Sequence, residues 1–131
     1  MVRFARALAV SGAACVMVVG CADAEKTFDV SGTVTHDGKQ IAKGLIFFDP
    51  DAGKGGKGSQ GFANIENGKF DTAARGKGVR GGPYTIRING FDGKVGPEAP
   101  FGAALFPEHQ FNKELPAEKQ TLDYDVKKAP K

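Results

Sequence analysis

Segments in which apolar and polar residues alternate recur along this chain after an N-terminal apolar stretch. Residues 28–35, 83–89 and 121–126 each alternate with a period of two, which is typical of half-buried β-strands. Residues 7–19 form a mainly apolar stretch without a charged residue and are too few to span a bilayer as a helix. The pattern therefore predicts an all-β domain that follows a short hydrophobic leader.

Two further stretches complete the predicted sheet. Residues 44–50 are apolar on both faces and end at a proline, so we expect a strand that is covered on both sides. Residues 61–66 and 69–72 flank Asn67-Gly68, a dipeptide that favours the type I′ turn of a tight hairpin. A turn is also expected at the Asp37-Gly38 dipeptide.

The connections between these strands differ in character. Residues 51–59 and 73–82 are glycine-rich and basic, and residues 90–119 carry four prolines, so we predict little regular structure in that long segment. Short strands and turns at this spacing predict an antiparallel two-sheet β-sandwich, Ig-like in general form, with about six to seven strands.

The leader has the features of an export signal. Arg3 and Arg6 precede the apolar stretch, which closes in Val18-Val19-Gly20-Cys21. This motif resembles the bacterial lipobox, and the resemblance implies cleavage before Cys21 and acylation of that residue. We expect a lipid-anchored protein on the exported side of the bacterial cell envelope, in the periplasm or at the cell surface.

Two alternatives remain open for this leader. Ala22-Asp23-Ala24 is also a signal-peptidase site, so cleavage after Ala24 would release a soluble protein, and residues 7–19 could also stay as an uncleaved anchor. With lipoprotein processing, the predicted divisions are a signal peptide at 1–20, a lipidated tether at 21–27, a β-sandwich at 28–127 and a tail at 128–131.

Composition limits the classes of function. Arg3 and Arg6 leave with the signal, so the formal net charge falls from +3 to +1, and we expect no nucleic-acid partner. Cys15 leaves as well, so Cys21 stands alone and no internal disulfide can form. Nine of the ten phenylalanines follow the signal and supply a core without disulfides.

The order of motifs indicates a family. The motifs are Val30-Ser-Gly32-Thr-Val34, Asp37-Gly38-Lys39, Gly44-Leu-Ile-Phe47-Phe48-Asp-Pro50, Asn67-Gly68-Lys69-Phe70, Gly82-Pro83-Tyr84, Leu105-Phe-Pro107 and Leu122-Asp-Tyr124-Asp-Val126. Together they resemble the small envelope lipoproteins of planctomycete-type bacteria. The resemblance implies a domain related to the carboxypeptidase regulatory-like, or transthyretin-like, sandwich, and says little about activity.

Candidate catalytic and metal-binding motifs are weak. Residues 76–81 match G-x-G-x-x-G but precede a strand instead of a helix, which argues against a dinucleotide site. His36 and His109 lack a further ligand at metal spacing, and Ser31 and Ser59 lack the context of a nucleophile.

Other residues also argue against an enzyme. Asp123 and Asp125 alternate with apolar residues, so both are expected to face solvent on one sheet surface. The C-terminal residues 127–131 lack the ending of transthyretin-like hydrolases. We therefore expect a non-catalytic module with no cofactor and no metal.

We expect such a module to bind or organise surface components. Its expected partners are the membrane, through acyl chains on Cys21, and an unknown envelope protein or glycan. The long segment 90–119 is the expected partner surface because long loops are often functional. Its candidate residues are Phe91, Phe101, Phe106, His109 and Phe111. Some of these rings could instead cap the core, and an enzyme with an unrecognised site in this segment is the alternative.

Strand directions predict a second surface. If consecutive strands are antiparallel, the loops at 50–60 and 73–82 emerge at the end where the first strand begins. That end would lie near the lipid anchor, because seven residue steps span at most about 25 Å. The cations expected to contact anionic headgroups there are Lys54, Lys57, Arg75, Lys77 and Arg80.

Overall fold

The structure is a computed structural model that describes residues 25–128. It is all-β apart from one short 3-10 turn, Ala52–Lys54. The strands are β1 (Val30–His36), β2 (Lys39–Gln40), β3 (Lys43–Pro50), β4 (Gly61–Glu66), β5 (Lys69–Asp71), β6 (Gly76–Lys77), β7 (Gly82–Phe91), β8 (His109–Leu115), β9 (Gln120–Thr121) and β10 (Tyr124–Val126). The all-β prediction is confirmed.

These strands form one curled sheet in the order β10-β1-β5-β4-β3-β7-β8. The short strands β2 and β9 also pair with β1, and β6 pairs with β4. Neighbours are antiparallel except that β9 and β10 run parallel to β1. The predicted directions of β1, β3, β4, β5 and β7 are confirmed by these pairings. We call the end at which β1 begins the proximal end and the opposite end the distal end.

Alternation along the strands builds the core. In β7, Tyr84, Ile86 and Ile88 are buried on one face, while the residues between them are half-buried on the other. The same rule in β3 buries Ile46 and Phe48. Burial of a large apolar side chain stabilises the fold by ~1.5–3 kcal/mol, so the inner faces of the curled sheet supply its main cohesion.

Local turn chemistry fixes two hairpins. Asn67 and Gly68 have φ values of 51° and 76° and connect β4 to β5, as predicted for a type I′ turn. Asp37 and Gly38 have φ values of 48° and 79° and connect β1 to β2 in the same way.

The expectation of little regular structure in 90–119 holds for residues 92–108, which carry no named strand, and is wrong for the part that follows. β8 lies within that segment and pairs with β7 through seven residue pairs, from Gly82–Leu115 to Ile88–His109. The sequence of this strand is His-Gln-Phe-Asn-Lys-Glu-Leu. Its alternation is hard to recognise because Lys113 stands between Phe111 and Leu115, at a position where an apolar residue would have completed the pattern. Its pairing with β7 is long-range and decides its conformation.

The single strand predicted at 121–126 is also wrong. β9 and β10 are separate, and Leu122 and Asp123 lie between them. The carbonyl of Leu122 passes so close to Gly32 that a Cβ on that glycine would lie 1.8 Å from the oxygen. Leu122 still donates its N–H to the Ser31 carbonyl at 2.8 Å. The backbone ladder is interrupted at Asp123, because its carboxylate accepts the Thr33 N–H at 3.0 Å in place of a backbone carbonyl.

The loop predicted at 73–82 contains β6. Gly76 pairs with Ala63 of β4, and a Cβ on Gly76 would lie 1.9 Å from the Phe62 carbonyl oxygen. Glycine therefore permits the backbone approach that forms this two-residue strand.

Candidate functional site

The two basic loops meet the N-terminal tether at the proximal end. Phe28 and Val79 exchange two backbone hydrogen bonds, of 2.7 and 2.9 Å, so the chain joins the second loop two residues before β1 begins. The first loop reaches the same end because it follows β3 and precedes β4. The predicted placement of both loops beside the start of the domain is confirmed.

A carboxylate of the tether is held by both loops. Glu25 accepts hydrogen bonds from the Ser59 N–H at 2.9 Å and from the Ser59 hydroxyl at 2.6 Å. The Lys77 ammonium and Arg80 Nε lie 3.6 and 3.9 Å from its oxygens. Gly58 has φ +102°, and a Cβ there would lie 2.2 Å from Oε1 of Glu25. We call the donor group of Ser59, Lys77 and Arg80 the Glu25 site.

The Glu25 site favours the ionised carboxylate. The hydrogen bonds from the Ser59 hydroxyl and N–H are the main reasons that the pKa of Glu25 lies below its ordinary value, and Lys77 and Arg80 lower it further. In turn Glu25 partly neutralises these two cations. Sequence reasoning missed this site because Ser59 is 34 residues from Glu25 and only the loop conformation brings them together.

The other predicted basic residues have different neighbours. Lys54 lies 3.9 Å from Asp51. Arg75 points away from the proximal loops and lies 3.1 Å from Glu66 at the distal end of β4. Lys57 is exposed and has no ion pair within residues 25–128. The structure therefore gathers four of the five predicted cations at the proximal end.

A cleft of about 660 Å³ opens at the distal end. Its apolar lining residues are Leu105, Phe106, Pro107 and Val126, and its polar lining residues include His36, Lys39, Glu108, His109 and Lys128. The end of β1, the start of β8 and the end of β10 form its walls. Both histidines of the chain line this one cleft, although they are 73 residues apart in sequence.

Packing of aromatic rings fixes the shape of the cleft. The Phe106 ring lies 4.9 Å from the His36 ring, centroid to centroid, and a Cβ on Gly90 would lie 2.8 Å from Phe106. His109 Nε2 lies 2.9 Å from the Tyr124 hydroxyl. The histidines are therefore held by neighbouring side chains and not by each other.

The predicted partner-surface rings divide into two groups. Phe106 and Phe111 are partly buried and pack against the core, which agrees with the capping alternative. Phe91 and Phe101 lie together with ring centroids 5.6 Å apart, and Phe101 is 42% exposed. Leu105, 37% exposed, also lines the cleft and was not among the predicted partner-surface residues, which were aromatic rings and a histidine.

One carboxylate orders the long connection above the cleft. Asp92 Oδ1 accepts hydrogen bonds from the N–H groups of Lys94 at 2.9 Å and Ala103 at 3.1 Å. A Cβ on Gly102 would lie 2.0 Å from this oxygen. Residues 92–103 therefore form a closed excursion, and the chain returns beside Gly90 to place Leu105 and Phe106 at the cleft.

The cleft combines apolar walls with two imidazoles and with charged groups of both signs, since Asp37 and Glu108 line it as well as three lysines. It can bury an apolar group and donate hydrogen bonds to an acceptor beside it. Neither Ser31 nor Ser59 lines this cleft. Ser59 belongs to the Glu25 site. Within residues 25–128, no group of three or more His, Cys, Asp or Glu side chains is arranged to hold a metal ion.

The remaining prediction concerns Cys21, which lies outside the described residues. No helix within the described part of the chain is long and apolar enough to cross a membrane. A scan against models of known protein families finds no match to this chain. A search of curated proteins finds no significant match either.

Proposed function

We propose that this chain is a non-catalytic binding module of the bacterial cell envelope, anchored by acyl chains on Cys21. Its domain belongs to the transthyretin-like class of β-sandwich, with the two halves of the curled sheet as the two layers. The distal cleft binds a partner, which is an envelope protein or a glycan.

The observation that carries this proposal is that the tether and the cleft lie at opposite ends of the domain. The tether enters at the proximal end, where Glu25 contacts both basic loops. The cleft lies at the opposite end, beyond His36 at the close of β1. An anchor at one end and an accessible concave surface at the other suit a module that presents a binding site away from the bilayer.

The chemistry of the cleft favours binding over group transfer. Its apolar walls offer burial, and its histidines, lysines and acidic residues offer hydrogen bonds to acceptors and donors of a ligand. Phe106 is packed against the core, so the apolar wall that it forms is largely preformed and loses little entropy when a ligand binds.

The anchor is tested by the intact mass of the native protein and by the substitution Cys21→Ser. We expect a mass that corresponds to an acylated chain beginning at Cys21, and we expect the Cys21→Ser protein to leave the membrane fraction or to change in mobility. A native mass that begins at Glu25, or a variant unchanged in fraction and mobility, would contradict the anchor.

The cleft is tested by photo-crosslinking in intact envelopes. A photoreactive residue at Leu105 should give a discrete adduct with a protein or glycan. The matched control is Phe62, which has similar exposure, 39% against 37%, and lies in β4 near the proximal end. The same adducts from both positions would show that the cleft has no specific partner.

A further inference from the structure

The Glu25 site has the construction of an oxyanion-binding site. Two donors of Ser59 and two cations converge on one carboxylate. The absence of a side chain at Gly58 lets that carboxylate approach the backbone. A backbone N–H, a hydroxyl and paired cations are also the groups that bind phosphate oxygens.

The bound carboxylate can leave this site. The side chains of Glu25, Lys77 and Arg80 are 24%, 43% and 46% exposed, and ion pairs with this much solvent contact hold weakly. The bound Glu25 carboxylate thus shows that the site accepts an oxyanion. A second oxyanion at high local concentration can displace it.

Such a competitor is expected beside this end of the domain. Four residue steps separate Cys21 from Glu25, a span of at most about 14 Å. With the anchor of the proposed function, the site lies within that distance of the lipid surface. Lys57, which is exposed in the same loop as Ser59, adds positive charge that attracts an anionic surface.

We propose that the Glu25 site binds a headgroup phosphate of an anionic lipid, and that Glu25 fills the site in cis until a headgroup displaces it. Ser59 donates both of its hydrogen bonds to the phosphate, and Lys77 and Arg80 neutralise it. The released Glu25 moves with the tether. The proposal depends on the anchor only for its location, so binding can be measured without acylation.

The test uses residues 21–131 with Cys21→Ser, a chain that contains every described strand and the whole core. Binding is measured by co-sedimentation with vesicles of phosphatidylcholine, alone or mixed with phosphatidylglycerol. The substitution Glu25→Gln should increase binding to the anionic vesicles by about fivefold for each released cation. Adding Ser59→Ala or Arg80→Gln should reverse much of that increase.

Glu118→Gln provides the matched control. Glu118 is exposed in the segment between β8 and β9, at the proximal end, and has no ion pair within residues 25–128. Its substitution makes the same change in net charge without opening the site. Equal gains for Glu25→Gln and Glu118→Gln would overturn the proposal, as would a gain that survives both Ser59→Ala and Arg80→Gln.

Inorganic phosphate at constant ionic strength distinguishes a free anion from a headgroup. Millimolar phosphate should compete only weakly with anionic vesicles. If the Glu25→Gln protein binds free phosphate in solution and does not bind the vesicles, the assignment to a lipid headgroup is wrong. Failure of this proposal leaves the native mass and the cleft crosslink of the proposed function unaffected.

Discussion

Single carboxylates hold the C-terminal strand where the backbone ladder is short. β10 pairs with β1 through only three residue pairs. Asp123 accepts hydrogen bonds from the N–H and hydroxyl of Thr33, at 3.0 and 2.8 Å, and Asp125 accepts one from the Thr35 hydroxyl at 2.8 Å. Both acids lie on one surface of the sheet, and their hydrogen bonds reinforce the parallel pairing.

Asp125 makes this stabilisation depend on pH. Its hydrogen bond with the Lys127 ammonium, followed by those from Gly38 N–H and the Thr35 hydroxyl, lowers its pKa from the ordinary 3.8 to about 2. A carboxylate with a lowered pKa stabilises the fold above its ordinary pKa, and this contribution is lost as the pH falls toward 2. Asp125→Asn should therefore lower the denaturation midpoint at pH 7 and have little effect near pH 2.

The measurement is urea denaturation across that range. Glu98→Gln provides the control because Glu98 is exposed in the distal connection. It should change the midpoint little at either pH. A deficit of the Asp125→Asn protein that is as large at pH 2 as at pH 7 would show that the side chain acts through packing and not through its charge.

At the scale of elements, the two edge strands of the sheet meet through side chains. β8 and β10 stand at opposite ends of the strand order and have no described backbone ladder between them. Phe111 of β8 stacks on Tyr124 of β10, with ring centroids 4.1 Å apart and planes inclined by 7°. The Tyr124 hydroxyl also contacts His109, so this junction both closes the curl and positions one wall of the cleft.

A double-mutant cycle with Phe111→Leu and Tyr124→Leu should measure the junction. Stacked aromatic pairs contribute ~0.5–1.5 kcal/mol beyond their buried area, and we expect a coupling free energy of unfolding in that range. Phe111→Leu combined with Phe62→Leu is the control, because Phe62 lies three strands away on the outer side of β4. A coupling near zero for the first pair would mean that the rings pack independently.

The elements that were predictable have local causes. Asn67-Gly68 and Asp37-Gly38 suit turns with positive φ, and Tyr84, Ile86 and Ile88 mark β7 by strict alternation. β8 was not predictable because Lys113 and Glu114 obscure its alternation and its conformation depends on the ladder to β7. The last strand is divided at Asp123, whose carboxylate accepts the N–H of Thr33, a contact 90 residues away in sequence.

The candidate sites follow the same division between local and long-range causes. Counting strand directions was enough to place the basic loops beside the tether, since it needs only antiparallel neighbours. The Glu25 site and the distal cleft depend on loop conformations that join residues far apart in sequence, such as Ser59 with Glu25 and His36 with His109. Neither the charges nor the spacing of these residues along the chain predicts that they lie close together in the fold.

At the scale of the whole molecule, the anchor and the Glu25 site together predict how the domain stands on the bilayer. On a bilayer without anionic lipid, the contact at Glu25 limits the free tether to about 14 Å, and β1 places the distal end about 20 Å further along its seven residues. The domain should therefore stand with its loops near the headgroups and its cleft well above them.

Energy transfer to a headgroup acceptor should measure this orientation in the acylated protein. After loss of Cys15 and acylation of Cys21 no free thiol remains, so Lys57→Cys and Glu98→Cys each give one labelling position, in the first basic loop and in the distal connection. We expect much stronger transfer from position 57 than from position 98, because the efficiency falls steeply over the length of β1.

Adding Glu25→Gln in vesicles of phosphatidylcholine alone should reduce the difference, since the released tether gains three residue steps of slack up to Phe28, about 10 Å. Equal transfer from the two positions with Glu25 intact would mean that the domain lies on its side or tumbles on its tether.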